Sequence, residues 1–229
     1  MDSVTVFSQA SNYVFIGEAG SGKTELAINV AANLAISTPS TVELYDLDQT
    51  KALFRARDMA TELETFGVSL AETISYMDSP LSPPGVENAL EDAGKICILD
   101  VGGNVAGAQT IGKYKDYFAR GGSRFIYVIN PYRPFSEGSA ELVNSMKSIM
   151  EAARIPEIDL CIAANPCIGV ETSGKIVLDG LDLLCESLKK TPFDVDFLVV
   201  RESLYESVRE KTNMPIFPIN LYMSKLYQL

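Results

Sequence analysis

The run Gly17-Glu18-Ala19-Gly20-Ser21-Gly22-Lys23-Thr24 sets a lysine and a threonine directly behind a glycine-rich turn. Glycines let the backbone bend so that successive N–H groups face inward and hold anionic oxygens. A helix starting at this point adds the partial positive charge of its N-terminus. Lys23 is placed to reach β- and γ-phosphates, and the Thr24 hydroxyl to ligate Mg²⁺. The chemistry implied is binding of a nucleoside triphosphate in a P-loop.

Two further segments end in acids. Lys95-Ile96-Cys97-Ile98-Leu99-Asp100 is an apolar run closed by a carboxylate, the form of a Walker B strand whose Asp holds Mg²⁺ through water. Asp100-Val101-Gly102-Gly103 has the spacing of a switch loop, in which the Gly103 N–H contacts a γ-phosphate. Glu43-Leu44-Tyr45-Asp46-Leu47-Asp48-Gln49 carries two acids, Asp46 and Asp48, beyond another apolar run. Both are candidates to face Mg²⁺ or the attacking water. Asp48 has a structural alternative as a cap of the helix expected after Lys51.

These residues need a scaffold that brings strand ends together. Short, nearly continuous apolar runs predict strands at Tyr13–Ile16, Thr41–Tyr45, Lys95–Leu99, Phe125–Ile129, Ile158–Ala163, Val195–Val200 and Pro215–Pro218, with a weaker one at Ala71–Tyr76. Helical stretches alternate with them at Gly22–Ile36, Lys51–Leu63, Ser139–Arg154 and Gly174–Lys190. The alternation predicts an α/β fold, a doubly wound and mostly parallel sheet flanked by helices, with ligands at the carboxyl ends of the strands. No linker or repeat divides residues 1–229, so one nucleotide-binding domain is expected. Leu81 to Asp92 reads as a surface loop, with a lid or partner surface as the alternative.

Composition narrows the function. Of 229 residues 47% are hydrophobic, enough for a full core. The net charge of −11 argues against nonspecific nucleic-acid binding and electrostatic docking on membranes. The chain has no histidine, which excludes every histidine-based mechanism. Its four cysteines, Cys97, Cys161, Cys167 and Cys185, form no CxxC pair and read as free thiols. Free thiols, a P-loop and no signal peptide imply a cytoplasmic protein.

The P-loop, the Asp46-x-Asp48-Gln49 run and the apolar strand ending Asp100-x-x-Gly103 together resemble the MinD/ParA group of SIMIBI-class P-loop ATPases. The resemblance covers Tyr13 to about Pro218. It implies ATP and Mg²⁺ as cofactors, with Thr24, Asp46 and Asp100 at the metal. It implies Asp48 as the residue positioning the attacking water and Lys23, Asp48 and Asp100 as the catalytic set. Asn165-Pro166 resembles the position that contacts adenine; Asn130-Pro131 is a second candidate that reads as loop-shaping. No Asn-Lys-x-Asp motif follows either strand, which argues against GTP of the usual G-protein type. The family sandwiches nucleotide between two subunits, so a nucleotide-dependent homodimer and a protein partner are implied.

The family signature carries a lysine where this chain has Glu18. That lysine crosses to the partner's phosphates, and a carboxylate facing them would repel. Glu18 must point elsewhere, another cation must replace it, or the sandwich is weakened. Arg55, Arg57, Lys113 and Lys115 are candidate cations, or solvated surface. The leading expectation is a slowly hydrolysing ATP switch acting on a protein partner. The alternatives are a metallocentre or cofactor maturation ATPase, in which Cys167 would be the best ligand, and an interaction module with degenerate hydrolysis. A small-molecule kinase would need a substrate pocket and lid arginines, and the sequence places neither. The C-terminal segment Asn220–Leu229, with Lys225 as its one lysine, is expected to pack on the body or a partner and not on a membrane.

Overall fold

The computed structural model describes residues 7, 10–48, 59–71, 84–136, 138–155 and 160–225. In chain order the elements are β1 (Asn12–Ile16), α1 (Lys23–Ser37), β2 (Thr41–Asp46), α2 (Ala60–Thr65), β3 (Val68–Leu70), α3 (Val86–Glu91), β4 (Lys95–Asp100), α4 (Val105–Gly112), α5 (Lys115–Phe118), β5 (Ser123–Ile129), α6 (Ser139–Ala153), β6 (Leu160–Ala164), α7 (Gly174–Leu188), β7 (Val195–Arg201), α8 (Tyr205–Arg209), β8 (Ile216–Ile219) and α9 (Tyr222–Lys225).

The strands form one eight-stranded sheet in the order β3-β2-β4-β1-β5-β6-β7-β8, and every neighbouring pair is parallel. This is the doubly wound α/β architecture that the alternation predicted. Period-2 side-chain alternation splits each strand between two cores. Tyr13 and Phe15 enter the layer that holds Leu26, Ile28 and Val30 of α1. Val14 and Ile16 enter the layer that holds Leu142 and Met146 of α6 and Leu181 and Leu184 of α7. All five residues of β1 are buried, which accounts for its unbroken apolar reading.

β1 pairs with β4 on one side and β5 on the other, so the chain leaves the centre of the sheet in both directions. That reversal is a topological switch point, where the crevice beyond the carboxyl ends of the strands binds ligands. The loop after β1 opens into it.

The structure differs from the expected elements in four places. The weaker strand expected over Ala71–Tyr76 is preceded by the observed β3, which ends at Leu70; residues 72–76 lie outside the described residues. Gly67, at φ 82°, makes the turn that starts β3. The helix expected over Lys51–Leu63 has a described part, α2, running on to Thr65. Residues 51–58, and with them Arg55 and Arg57, lie outside the described residues. The stretch read as a loop up to Asp92 is helical over Val86–Glu91, because Val86 and Ala89, three residues apart, both enter the core. Helix α4 was not expected, since its sequence contains Gly107 and Gly112. Gly107 is required there: a Cβ would meet the backbone of Gly102 at 2.5–2.7 Å.

The described part of the C-terminal segment packs on the body. Asn29 of α1 exchanges hydrogen bonds with the Asn220 backbone, at 2.8 and 2.9 Å. The Tyr222 N–H donates to the Glu25 carboxylate at 2.6 Å. Among the described residues, no helix is long and apolar enough to cross a membrane.

Candidate functional site

The glycine-rich run forms the loop between β1 and α1. Gly17, Gly20 and Gly22 have φ of 132°, 75° and 96°, values that side-chain-bearing residues rarely adopt. A Cβ on Gly17 would lie 2.4 Å from the Val128 carbonyl oxygen of β5, so neighbouring backbone also demands glycine. Lys23 and Thr24 open α1 with no side-chain cap on its first turn, leaving the helix N-terminus turned to the loop. The Lys23 ammonium spans the loop and donates to the Glu18 carbonyl at 2.9 Å.

The acids converge on the same point. The Thr24 hydroxyl donates to Asp100 Oδ2 at 2.6 Å, with both residues buried. Asp46 sits opposite Asp100 in the β2–β4 register. The Leu47 N–H donates to the Asp100 carbonyl at 2.8 Å, and the Asp48 N–H to Asp46 Oδ1 at 3.0 Å. A Cβ on Gly102 would lie 3.2 Å from Asp48 Oδ1, so that carboxylate faces the loop after β4. A Cβ on Gly103 would meet Ala19 Cα and N at 2.6 Å and Lys23 Nζ at 2.8 Å. Gly103 therefore lies directly against the phosphate loop. Lys23, Thr24, Asp46, Asp48, Asp100 and Gly103, picked out separately in sequence, form one cluster.

The oxygens of Thr24, Asp46 and Asp100 suit a hard divalent cation, and the glycine loop suits a polyphosphate. The described residues hold no group of three or more His, Cys, Asp or Glu placed to bind a metal. A divalent cation held here would need further oxygen ligands from water or phosphate, as Mg²⁺ commonly takes. Cys97 and Cys161 lie in opposite core layers, and burial pushes their thiols up to about 12 and about 11. They remain protonated at neutral pH and are poor metal ligands in that form.

Glu18 points away from the cradle. Its carboxylate accepts a hydrogen bond from the Ser145 hydroxyl of α6 in the same chain. It also lies near Tyr127, whose phenol is raised by burial and further by the Glu18 charge, against an opposing contribution from Ser145. Of the candidate cations, Lys113 lies over the Tyr114 ring at 4.7 Å, and Lys115 begins α5.

Asn165 follows β6 and is buried. Its amide donates to the Ser21 carbonyl at 2.7 Å, and a Cβ on Gly22 would lie 2.1 Å from it. Pro166 is also buried, against Gly180 of α7. Asn130 shapes its loop as expected, donating to the Cys167 carbonyl at 2.7 Å and accepting from the Tyr132 N–H at 3.0 Å. The sequence reading passed over Arg133 in that loop. Its guanidinium Nε donates to the Gly20 carbonyl at 3.1 Å, on the rim of the cradle. The available signal was position: Arg133 closely follows the end of β5, the strand beside β1.

Compared by sequence, the chain matches no protein-family model and no curated protein. Solved structures do match. The signal recognition particle receptor FtsY from Elizabethkingia anophelis, in complex with GDP, is 16% identical over 82% of this chain and 56% of its own, with a TM-score of 0.52. FtsY from Thermotoga maritima is 17% identical over 83% of this chain and 62% of its own, with a TM-score of 0.51. The chain thus spans less than two thirds of those proteins. The likeness establishes the fold, that of P-loop NTPases.

Proposed function

We propose that this chain is a P-loop switch that binds a nucleoside triphosphate with Mg²⁺, hydrolyses it slowly and acts on a protein partner. One observation carries the reading: Lys23, the Thr24–Asp100 pair, Asp46, Asp48 and Gly103 meet around a loop whose glycines exclude side chains.

Within this reading the loop N–H groups and Lys23 hold the β- and γ-phosphates. Moving its 2.9 Å hydrogen bond from the Glu18 carbonyl to phosphate engages Lys23 when nucleotide enters. Thr24, Asp100 and Asp46 would hold Mg²⁺, directly or through water. Bound Mg²⁺ supplies charge neutralisation on the phosphoryl oxygens. Asp48 orients the water that attacks the γ-phosphorus as the bond to the β–γ bridging oxygen breaks. Gly103 reports the γ-phosphate, and the loop after β4 rearranges when that group leaves.

The base assigned is adenine. Asn165-Pro166 follows β6 where a guanine reader of the usual type would carry Asn-Lys-x-Asp. Guanine is the second reading, favoured by the GDP in the E. anophelis FtsY structure. A nucleotide-dependent homodimer of the MinD/ParA form is part of the proposal. Glu18, bonded within its own chain to Ser145, takes no part in that contact.

Calorimetric titration with MgATP and with MgGTP, followed by single-turnover hydrolysis, tests the reading. Saturation at one nucleotide per chain, tighter for ATP, with slow phosphate release, is expected. Tighter GTP binding transfers the assignment to guanine. Binding without turnover supports the interaction module, and binding of neither nucleotide contradicts the proposal.

A further inference from the structure

The geometry points to Arg133 as a second phosphate-binding cation of this site, delivered in cis by the loop after β5. The inference rests on the nucleotide reading above.

Arg133 is exposed at the protein surface, yet its guanidinium is not placed at random. Nε donates to the Gly20 carbonyl at 3.1 Å, and the side chain runs along the loop, with Nε, Cζ and Cδ 3.5–3.9 Å from a Cβ built on Gly20. One carbonyl occupies Nε, and the forked terminal amino groups, the part of arginine that matches phosphate geometry, make no hydrogen bond among the described residues.

The segment carrying Arg133 is held firmly. Asn130 ties it to Cys167, and the Tyr132 hydroxyl donates to the Ile176 carbonyl of α7 at 2.6 Å. The Asn130 carbonyl accepts from the Arg133 N–H at 3.1 Å, and the Arg133 carbonyl accepts from the Ser136 N–H at 2.9 Å. With its backbone held and Nε already on Gly20, the side chain has less freedom to lose when an anion arrives than one on an unanchored loop.

Charge gives the placement its purpose. A triphosphate entering this crevice meets Asp46, Asp48 and Asp100 on one side, in a chain of net charge −11. The loop residue Glu18 adds no cation and is turned onto Ser145. Arg133 brings positive charge to the rim that the loop itself lacks beyond Lys23. Its recognition is for the phosphates, so it does not distinguish the base.

Arg133→Gln isolates the charge. The glutamine amide nitrogen stands the same number of bonds from Cα as arginine Nε, so it can keep the Gly20 hydrogen bond while removing the guanidinium. Fluorescent MgATP and MgGTP analogues are titrated into wild type, Arg133→Gln, Arg133→Lys and Lys23→Ala at low and high salt, with thermal unfolding of each. Arg133→Gln should weaken binding of both nucleotides about tenfold or more at low salt with an unchanged melting temperature. Arg133→Lys should restore part of the loss, the share owed to charge alone, and the wild-type affinity should fall more steeply with salt than that of Arg133→Gln. Wild-type affinity in Arg133→Gln, alongside loss in Lys23→Ala, overturns the inference and leaves the nucleotide reading standing. A loss in Arg133→Gln that is equal at low and high salt, or that comes with a lowered melting temperature, also overturns it, because the residue then acts as a structural tie and not as a charge. No binding to wild type removes the nucleotide reading itself.

Discussion

Replacing Gly103 by alanine puts one methyl group where the loop after β4 meets the phosphate loop. The new carbon would stand 2.6 Å from both Cα and N of Ala19 and 2.8 Å from Lys23 Nζ. Unstrained carbon contacts sit at about 3.5–4.0 Å, so one loop must retreat by about 1 Å. The Lys23 ammonium can swing away, but the Ala19 backbone can move only with the whole cradle. Overpacking of this kind costs about 1–3 kcal/mol. For a chain of this size each kcal/mol lowers the melting temperature by about 2–4 °C. The functional loss should be larger, since a misplacement of about 1 Å in a reacting group costs on the order of 100-fold in rate. Gly174→Ala is the control. It lies at the start of α7, and its Cβ would lie 3.2 Å from the exposed Ser207 hydroxyl, a side chain that needs to give only slightly. That variant should stay within about 0.5 kcal/mol of wild type. Thermal unfolding and single-turnover hydrolysis read both effects. If Gly103→Ala melts, binds and turns over like wild type, the switch loop does not lie against the cradle and the site is wrongly assembled.

Asp48→Asn should keep nucleotide affinity within a few fold while cutting hydrolysis by about 100-fold or more, because orienting water acts in the transition state; parallel losses in both would assign Asp48 to metal binding or folding. Glu18→Ala and Ser145→Ala should each destabilise the chain, and the double variant should cost less than their sum, with a coupling of about 0.5–3 kcal/mol in denaturant unfolding; strict additivity would mean that the P-loop is not tied to α6. The Cys97 thiol rises on folding from its ordinary 9.0 to about 12, chiefly by burial. A raised folded-state value means that this contribution to stability is complete below about 9 and is lost as pH climbs toward about 12. Melting temperature should therefore fall across that window, and Cys97→Ala should flatten the slope; an unchanged slope would show that other groups carry it.

Much of this was legible in sequence because its signals are local. β1, α1 and the glycine run between them are adjacent in the chain, so apolar run, turn and Lys23-Thr24 name the cradle without tertiary information. Asp46, Asp48 and Asp100 could be read because parallel strands end at a common edge, and an acid closing an apolar run marks that edge. The hidden features depend on contacts between distant residues. Ser145 lies 127 positions from Glu18, and no pattern around either foretells their hydrogen bond. The same holds for Arg133 and Gly20, 113 positions apart. Helix α3 escaped because only Val86 and Ala89 bury, too short a period to outweigh the Pro83-Pro84-Gly85 run before it. Helix α4 escaped because Gly107 serves close packing on Gly102 at the expense of helix propensity.

The proposed function requires Lys23 and its loop to hold the phosphates of a nucleotide. Titration of MgATP and MgGTP into wild type and Lys23→Ala, with folding verified by thermal unfolding, tests it most directly. Saturable binding at one site per chain in wild type, and a loss of about 100-fold or more in the folded variant, are expected. Equal affinity in the two proteins, or no binding by wild type, would contradict it.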